Sequence, residues 1–98
     1  MFEILENKIR NANLTRSGRQ IADYILNHIE EALFMTSTEL ANSIGVSDSS
    51  VIRFTRSLGY TGYNDFKKDM HSIFNEEYKN RNSIFYSPIE LLEKNVPS

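Results

Sequence analysis

The 98-residue chain contains no cysteine. That excludes disulfide staples, thiolate chemistry and the common structural zinc sites, and it fits a reducing, cytoplasmic setting. No apolar run approaches the roughly 18 residues that a membrane span needs. The amino terminus, Met1-Phe2-Glu3-Ile4-Leu5-Glu6, carries two acids where a signal peptide needs basic residues before a long apolar stretch. No segment alternates apolar and polar residues in the manner of a half-buried strand. A glycine-rich phosphate loop is missing too, because Gly59 and Gly62 lack the further glycines and the preceding strand. His28 and His71 have no second ligand four residues further on, so neither a metal nor a cofactor is expected. No acid, base and nucleophile are grouped as catalysis requires, and the chain is not expected to be an enzyme.

What is present suits one small globular domain. Forty per cent of residues are hydrophobic and 24% are charged. The 11 basic and 13 acidic residues leave a formal charge of −2, which by itself argues against nucleic-acid binding. The distribution says more. Residues 21–44 carry acids and no base, whereas 1–20 and 45–71 each carry an excess of base. An anionic partner would meet the basic segments rather than the whole surface.

The pattern is helical throughout. Phe2, Leu5 and Ile9 form one stripe, and Asn11-Ala12-Asn13 interrupts it. Thr15 is placed to cap a second helix running to about residue 28, with Ile21, Ile25 and Ile29 along it. Residues 30–34 add a further helical turn. Thr36-Ser37-Thr38-Glu39 is a capping box that opens a helix closed by Gly45. Ser47 caps the next, from Asp48 to about Leu58. After the turn at Gly59-Tyr60-Thr61-Gly62, Asn64 is expected to cap a last main helix. The polar residues 76–83 read as that helix fraying into a linker. Ser87-Pro88-Ile89-Glu90 reads as a short helix start. The expected fold is all-α: a compact bundle of five or six short helices containing a helix-turn-helix, followed by a linker or short helix.

The informative stretch runs from Ser37 to Arg56. Ala41 stands four residues before Gly45, where a large side chain would force two helices apart. Leu40, Ile44, Val46, Val51 and Phe54 fall in register around that turn, which is the helix-turn-helix arrangement. At about 100° per residue, Val51, Phe54 and Leu58 share one side of the second helix. Ser49, Ile52, Arg53 and Arg56 occupy the other, with Asp48 and Ser50 at its edges. Arginine can pair with guanine or grip phosphate, serine can bond either, and isoleucine can touch a thymine methyl. The helix amino terminus at Ser47 suits a phosphate. Asp48 suits the helix dipole better than it suits DNA.

Leu14-Thr15, Ile21-Ala22-Asp23-Tyr24-Ile25, Glu39-Leu40-Ala41, Gly45-Val46-Ser47, Ser50-Val51-Ile52-Arg53-Phe54, Leu58-Gly59-Tyr60, Gly62-Tyr63 and Asp65-Phe66-Lys67 together resemble the amino-terminal domain of RpiR-type transcriptional regulators. The resemblance covers residues 2–75. It implies a helical domain that binds double-stranded operator DNA as part of a homodimer. It also implies control of sugar or sugar-phosphate genes, through a phosphosugar effector domain absent from this chain. Residues 1–76 then read as the DNA-binding domain and 77–98 as a linker and short helix towards that effector domain. One departure is Gly18, where the family usually has a glutamate that completes a capping box with the residue matching Thr15.

The expected DNA-contacting residues are Ser47, Ser49, Ser50, Ile52, Arg53, Arg56 and Lys67, the last favoured by the resemblance. Arg16, Arg19 and Lys68 read as solvated, and Tyr60 and Tyr63 as packing residues. Residues 84–92 are surplus to a minimal core and suit packing on a partner chain or on the absent domain. The alternative is a helical protein-interaction or dimerisation module without its own DNA binding, and the net acidity is its motive.

Overall fold

The structure, a computed structural model, describes the backbone of residues 3–85 and the side chains of residues 3–76. The readings of Phe2, of the Ser87-Pro88 helix start and of the side chains in 84–92 lie outside the described residues. Six helices follow one another: α1 (Glu3–Asn11), α2 (Arg16–Asn27), α3 (Ile29–Ala32), α4 (Ser37–Ile44), α5 (Asp48–Ser57) and α6 (Tyr63–Phe85). There is no strand among the described residues. None of the described helices is long and apolar enough to cross a membrane.

Local chemistry sets the boundaries. The Thr15 hydroxyl accepts from the Gly18 N–H at 3.1 Å, opening α2. A Cβ at Gly18 would stand 3.3 Å from Leu14 Cβ and Cδ2, so Leu14 occupies the space a longer residue would need. His28 leaves helical geometry at φ −136°, which separates α3 from α2. At α4 the capping box is complete: Glu39 N–H donates to the Thr36 hydroxyl and Thr36 N–H to the Glu39 carboxylate. Gly45 ends α4 at φ +90°, a left-handed conformation that costs an L side chain about 1–2 kcal/mol. The Gly45 and Val46 N–H groups both turn back to the Ala41 carbonyl, satisfying a helix end that would otherwise be bare.

Two expectations are corrected at α6. The helix begins at Tyr63, so Asn64 lies inside its first turn and is not the cap. Asp65 instead reaches back and accepts from the Thr61 N–H at 3.0 Å and from its hydroxyl at 3.3 Å. The helix also continues through 76–83, the polar segment expected to fray, as far as Phe85. Those residues include no proline or glycine, so nothing local breaks the backbone ladder.

The core lies where α2, α4, α5 and α6 converge. Leu5, Ile21, Ile25, Leu40, Val51 and Phe54 are each at most 2% exposed. Ala41 is buried beside them, and its small side chain suits the close pairing of α4 with α5. Phe54 meets Phe66 edge to face, with ring centroids 5.9 Å apart. Two polar ties then bridge distant parts of the chain. Tyr63 donates its hydroxyl proton to the Met35 carbonyl at 2.7 Å. His71 Nε2 lies 2.8 Å from the Leu33 carbonyl, which can only accept, so that nitrogen carries the proton.

Burial, with a smaller contribution from the nearby Glu39 carboxylate, pushes the Tyr63 phenol up from 10.0 to about 12. Burial also raises Tyr60, helped by the hydrogen bond its hydroxyl donates to Asp69. Because the folded values lie above the unfolded ones, this stability is complete below pH 10.0 and is lost as pH climbs towards about 12. Denaturation midpoints recorded across that window should therefore fall, in step with phenolate absorbance. Tyr63→Phe should flatten part of the decline while lowering neutral-pH stability by about 0.5–1.5 kcal/mol for the lost hydrogen bond. Phe54→Ala removes the central ring and should cost about 3–5 kcal/mol in a urea titration.

Candidate nucleic-acid interface

α4 and α5 pair across the left-handed turn at Gly45, and α5 is the better candidate for contact because it has two unlike sides. Val51, Phe54 and Leu58 are buried, while Ser49, Arg53 and Arg56 are exposed and Ile52 is half-buried. The wheel drawn from the sequence thus places the buried and open residues on the sides the structure shows. Thr55 is the exception: it is fully buried, and its hydroxyl donates to the Ile52 carbonyl at 2.7 Å. Its neighbour Phe54 and its position one turn after Val51 were the available signal, masked by the polar side chain.

Three serines gather at the start of α5. The Ser47 hydroxyl accepts from the Ser50 N–H at 3.1 Å, so Ser47 is the cap. Its oxygen also lies 3.2 Å from the Ser49 hydroxyl and 2.9 Å from that of Ser50. Ser47 and Ser49 are exposed and Ser50 is half-buried. Asp48, beside them, accepts from the Thr38 hydroxyl of α4 at 3.1 Å. That bond holds the carboxylate against α4, in addition to its favourable place in the first turn of α5. Thr38 carried no sequence signal for this role, since its partner is ten residues away.

The two arginines differ. Arg53 is exposed and makes no hydrogen bond or ion pair among the described residues. Arg56 donates from Nε to the Thr61 carbonyl at 3.3 Å, which draws its side chain across the turn before α6. There it shares an open cleft with Ser37, Ile52, Tyr63, Asn64 and Lys67. The Lys67 ammonium stands 6.0 Å from the centroid of the Tyr63 ring. So the structure brings Ile52, Arg56 and Lys67 together, groups Ser47, Ser49 and Ser50 separately, and leaves Arg53 standing between neither cluster's partners. Ser37 and Asn64 line the cleft too, although the sequence placed them only at helix starts and not among the contact residues. Among the described residues, no group of three or more histidine or carboxylate side chains is placed to hold a metal ion.

Residues 3–77 match the model of the helix-turn-helix domain of the rpiR family. Over 51 residues, 52% of this chain, the sequence is 47% identical to an HTH-type transcriptional regulator of the aarA 3′ region of Providencia stuartii. Over 63 residues, 64% of the chain, it is 40% identical to the HTH-type transcriptional regulator YfhH of Escherichia coli. These matches take in 18% and 22% of the two relatives, so the chain spans about a fifth of their length. The solved structure of the Vibrio vulnificus NanR protein complexed with ManNAc-6P superposes with a TM-score of 0.67 at 30% identity, covering 74% of this chain and 26% of NanR.

Proposed function

Because this chain belongs to the rpiR family of helix-turn-helix domains, we propose that it reads operator DNA for a bacterial transcriptional regulator of sugar or sugar-phosphate genes, with α5 in the major groove. One observation carries the assignment of the reading face. Arg53 projects from the side of α5 opposite Val51, Phe54 and Leu58, and its guanidinium has no intramolecular partner among the described residues. An exposed arginine with no intramolecular partner keeps all its donors free for the acceptors that guanine offers in a groove. Ser49 and Ile52 extend the same face. Ser47 and Ser50 place hydroxyls and amides at the positive end of α5, where a phosphate is favoured.

The role is that of a binding domain and not of an enzyme. Residues 1–76 form the reading domain and 77–98 lead out of it. A homodimer would present two copies of α5 to two half-sites. The NanR complex with a phosphosugar supports an effector of that class, sensed through a domain outside these 98 residues. A reducing cytoplasm suits both DNA and phosphosugar as partners.

A gel-shift titration tests this, using a duplex selected from a random pool and an unselected random duplex. The wild-type chain should bind both, the selected one more tightly, with affinity falling steeply as salt rises. Arg53→Ala should cost about 1–3 kcal/mol on the selected duplex and little on the random one. Equal affinity of wild type and variant at matched salt would remove Arg53 from the reading face. Absence of any binding at low salt would favour a protein-interaction module.

A further inference from the structure

We propose that the cleft between the start of α4, the flank of α5 and the start of α6 seats a phosphate of the DNA backbone, with Arg56 and Lys67 as its cations and Ser37 and Asn64 as its neutral donors. Arg56 is then a clamp on the sugar-phosphate chain and not a reader of bases. The inference rests on the DNA-reading role proposed above and goes further, dividing the two arginines of one helix between two tasks.

The cations are brought to the cleft by rigid parts of the fold. The Nε bond to the Thr61 carbonyl turns Arg56 away from the axis of the reading face and towards α6. The two terminal amines of its guanidinium remain for an oxyanion, which a guanidinium grips in a fork. Lys67 arises from the first turns of α6, beside the Tyr63 ring, and Tyr63 is itself buried and anchored to the Met35 carbonyl. An ammonium held there acts as a point charge. Asn64 is exposed and Ser37 half-buried on the opposite walls, and Ile52 supplies an apolar wall suited to a sugar.

The charge balance favours an anion. No acidic side chain lines the cleft. Two nearby carboxylates keep their charge but bond to donors at their own helix starts and do not line the cleft: Glu39 accepts from the Thr36 N–H at 3.0 Å, and Asp65 accepts from Thr61. Both α4 and α6 begin at the cleft, which adds their positive dipole ends to the two cations. Arg53 does not line it. The cleft is open and runs beside α5, so it suits a polymer passing along the helix better than an enclosed small anion.

The test uses the full chain, the selected duplex and the random duplex over a salt series. Arg56→Ala, Lys67→Ala and Asn64→Ala should each weaken both duplexes by the same factor. The first two should also lower the slope of log affinity against log salt by about one each. Arg56→Lys should restore the slope. In a scan of single methylphosphonate replacements, one position should weaken wild type and leave the Arg56→Ala/Lys67→Ala double variant unaffected. Circular dichroism melts confirm that each variant is folded. The cleft assignment is overturned if Arg56→Ala loses selectivity at a single base pair. It is equally overturned if all three variants bind normally while Arg53→Ala still fails, in which case the DNA-reading role stands. A thermal shift with inorganic phosphate that Arg56→Ala abolishes would make the cleft a free-anion site, against the proposal. If wild type binds no DNA at all, the reading role falls and this inference falls with it.

Discussion

The structure depends on the burial of one side of α5. Val51, Phe54, Thr55 and Leu58 are no more than 7% exposed, and the contacts they make with α2, α4 and α6 fix both the tilt of the helix and its rotation about its own axis. A helix held this way has no freedom over which residues it shows to solvent. A turn of about 100°, one residue's worth, would carry Arg53 into the place Phe54 holds and bring Thr55 round to the open side. The apolar side therefore determines which residues the helix offers to solvent, although none of its own is among them.

Much of this was legible in the residues. The capping box at Thr36 and Glu39, the left-handed Gly45 and the Ser47 cap are local, and each depends on atoms within three or four residues of one another. The periodic placement of Val51, Phe54 and Leu58 announced the buried side for the same reason. Thr55 was missed because its hydroxyl is satisfied by the carbonyl three residues earlier, which lets a polar residue sit in the core. The Tyr63–Met35 and His71–Leu33 bonds were invisible, since they join residues 28 and 38 positions apart and follow no period. The end of α6 was misjudged on polarity.

The exposed face of α5 was legible in composition and not in arrangement. The wheel grouped Arg53 with Arg56, because the two differ by about 300° and so stand within about 60° of each other. Side-chain direction separates them. The carbonyl that draws Arg56 aside belongs to Thr61, beyond the end of the helix, and no wheel includes it. The net charge misled in a related way. Part of the acidity is tied up in local bonds at the surface: Glu39 and Asp65 hold helix starts and Asp48 ties α5 to α4. A sum over the chain cannot distinguish a carboxylate engaged in that way from one facing a partner.

The serine trio at the head of α5 has a consequence for how a binding site can drift over generations. Its hydroxyls lie within 3.2 Å of the cap oxygen, and either member of each pair can be the donor. Each is a rotor with one proton and two lone pairs. Reversing the relay presents a donor where there had been an acceptor, with no backbone movement. On the proposed reading face, a base change in the target that swaps one for the other can then be tolerated before any compensating substitution arises, so regulator and target need not mutate together.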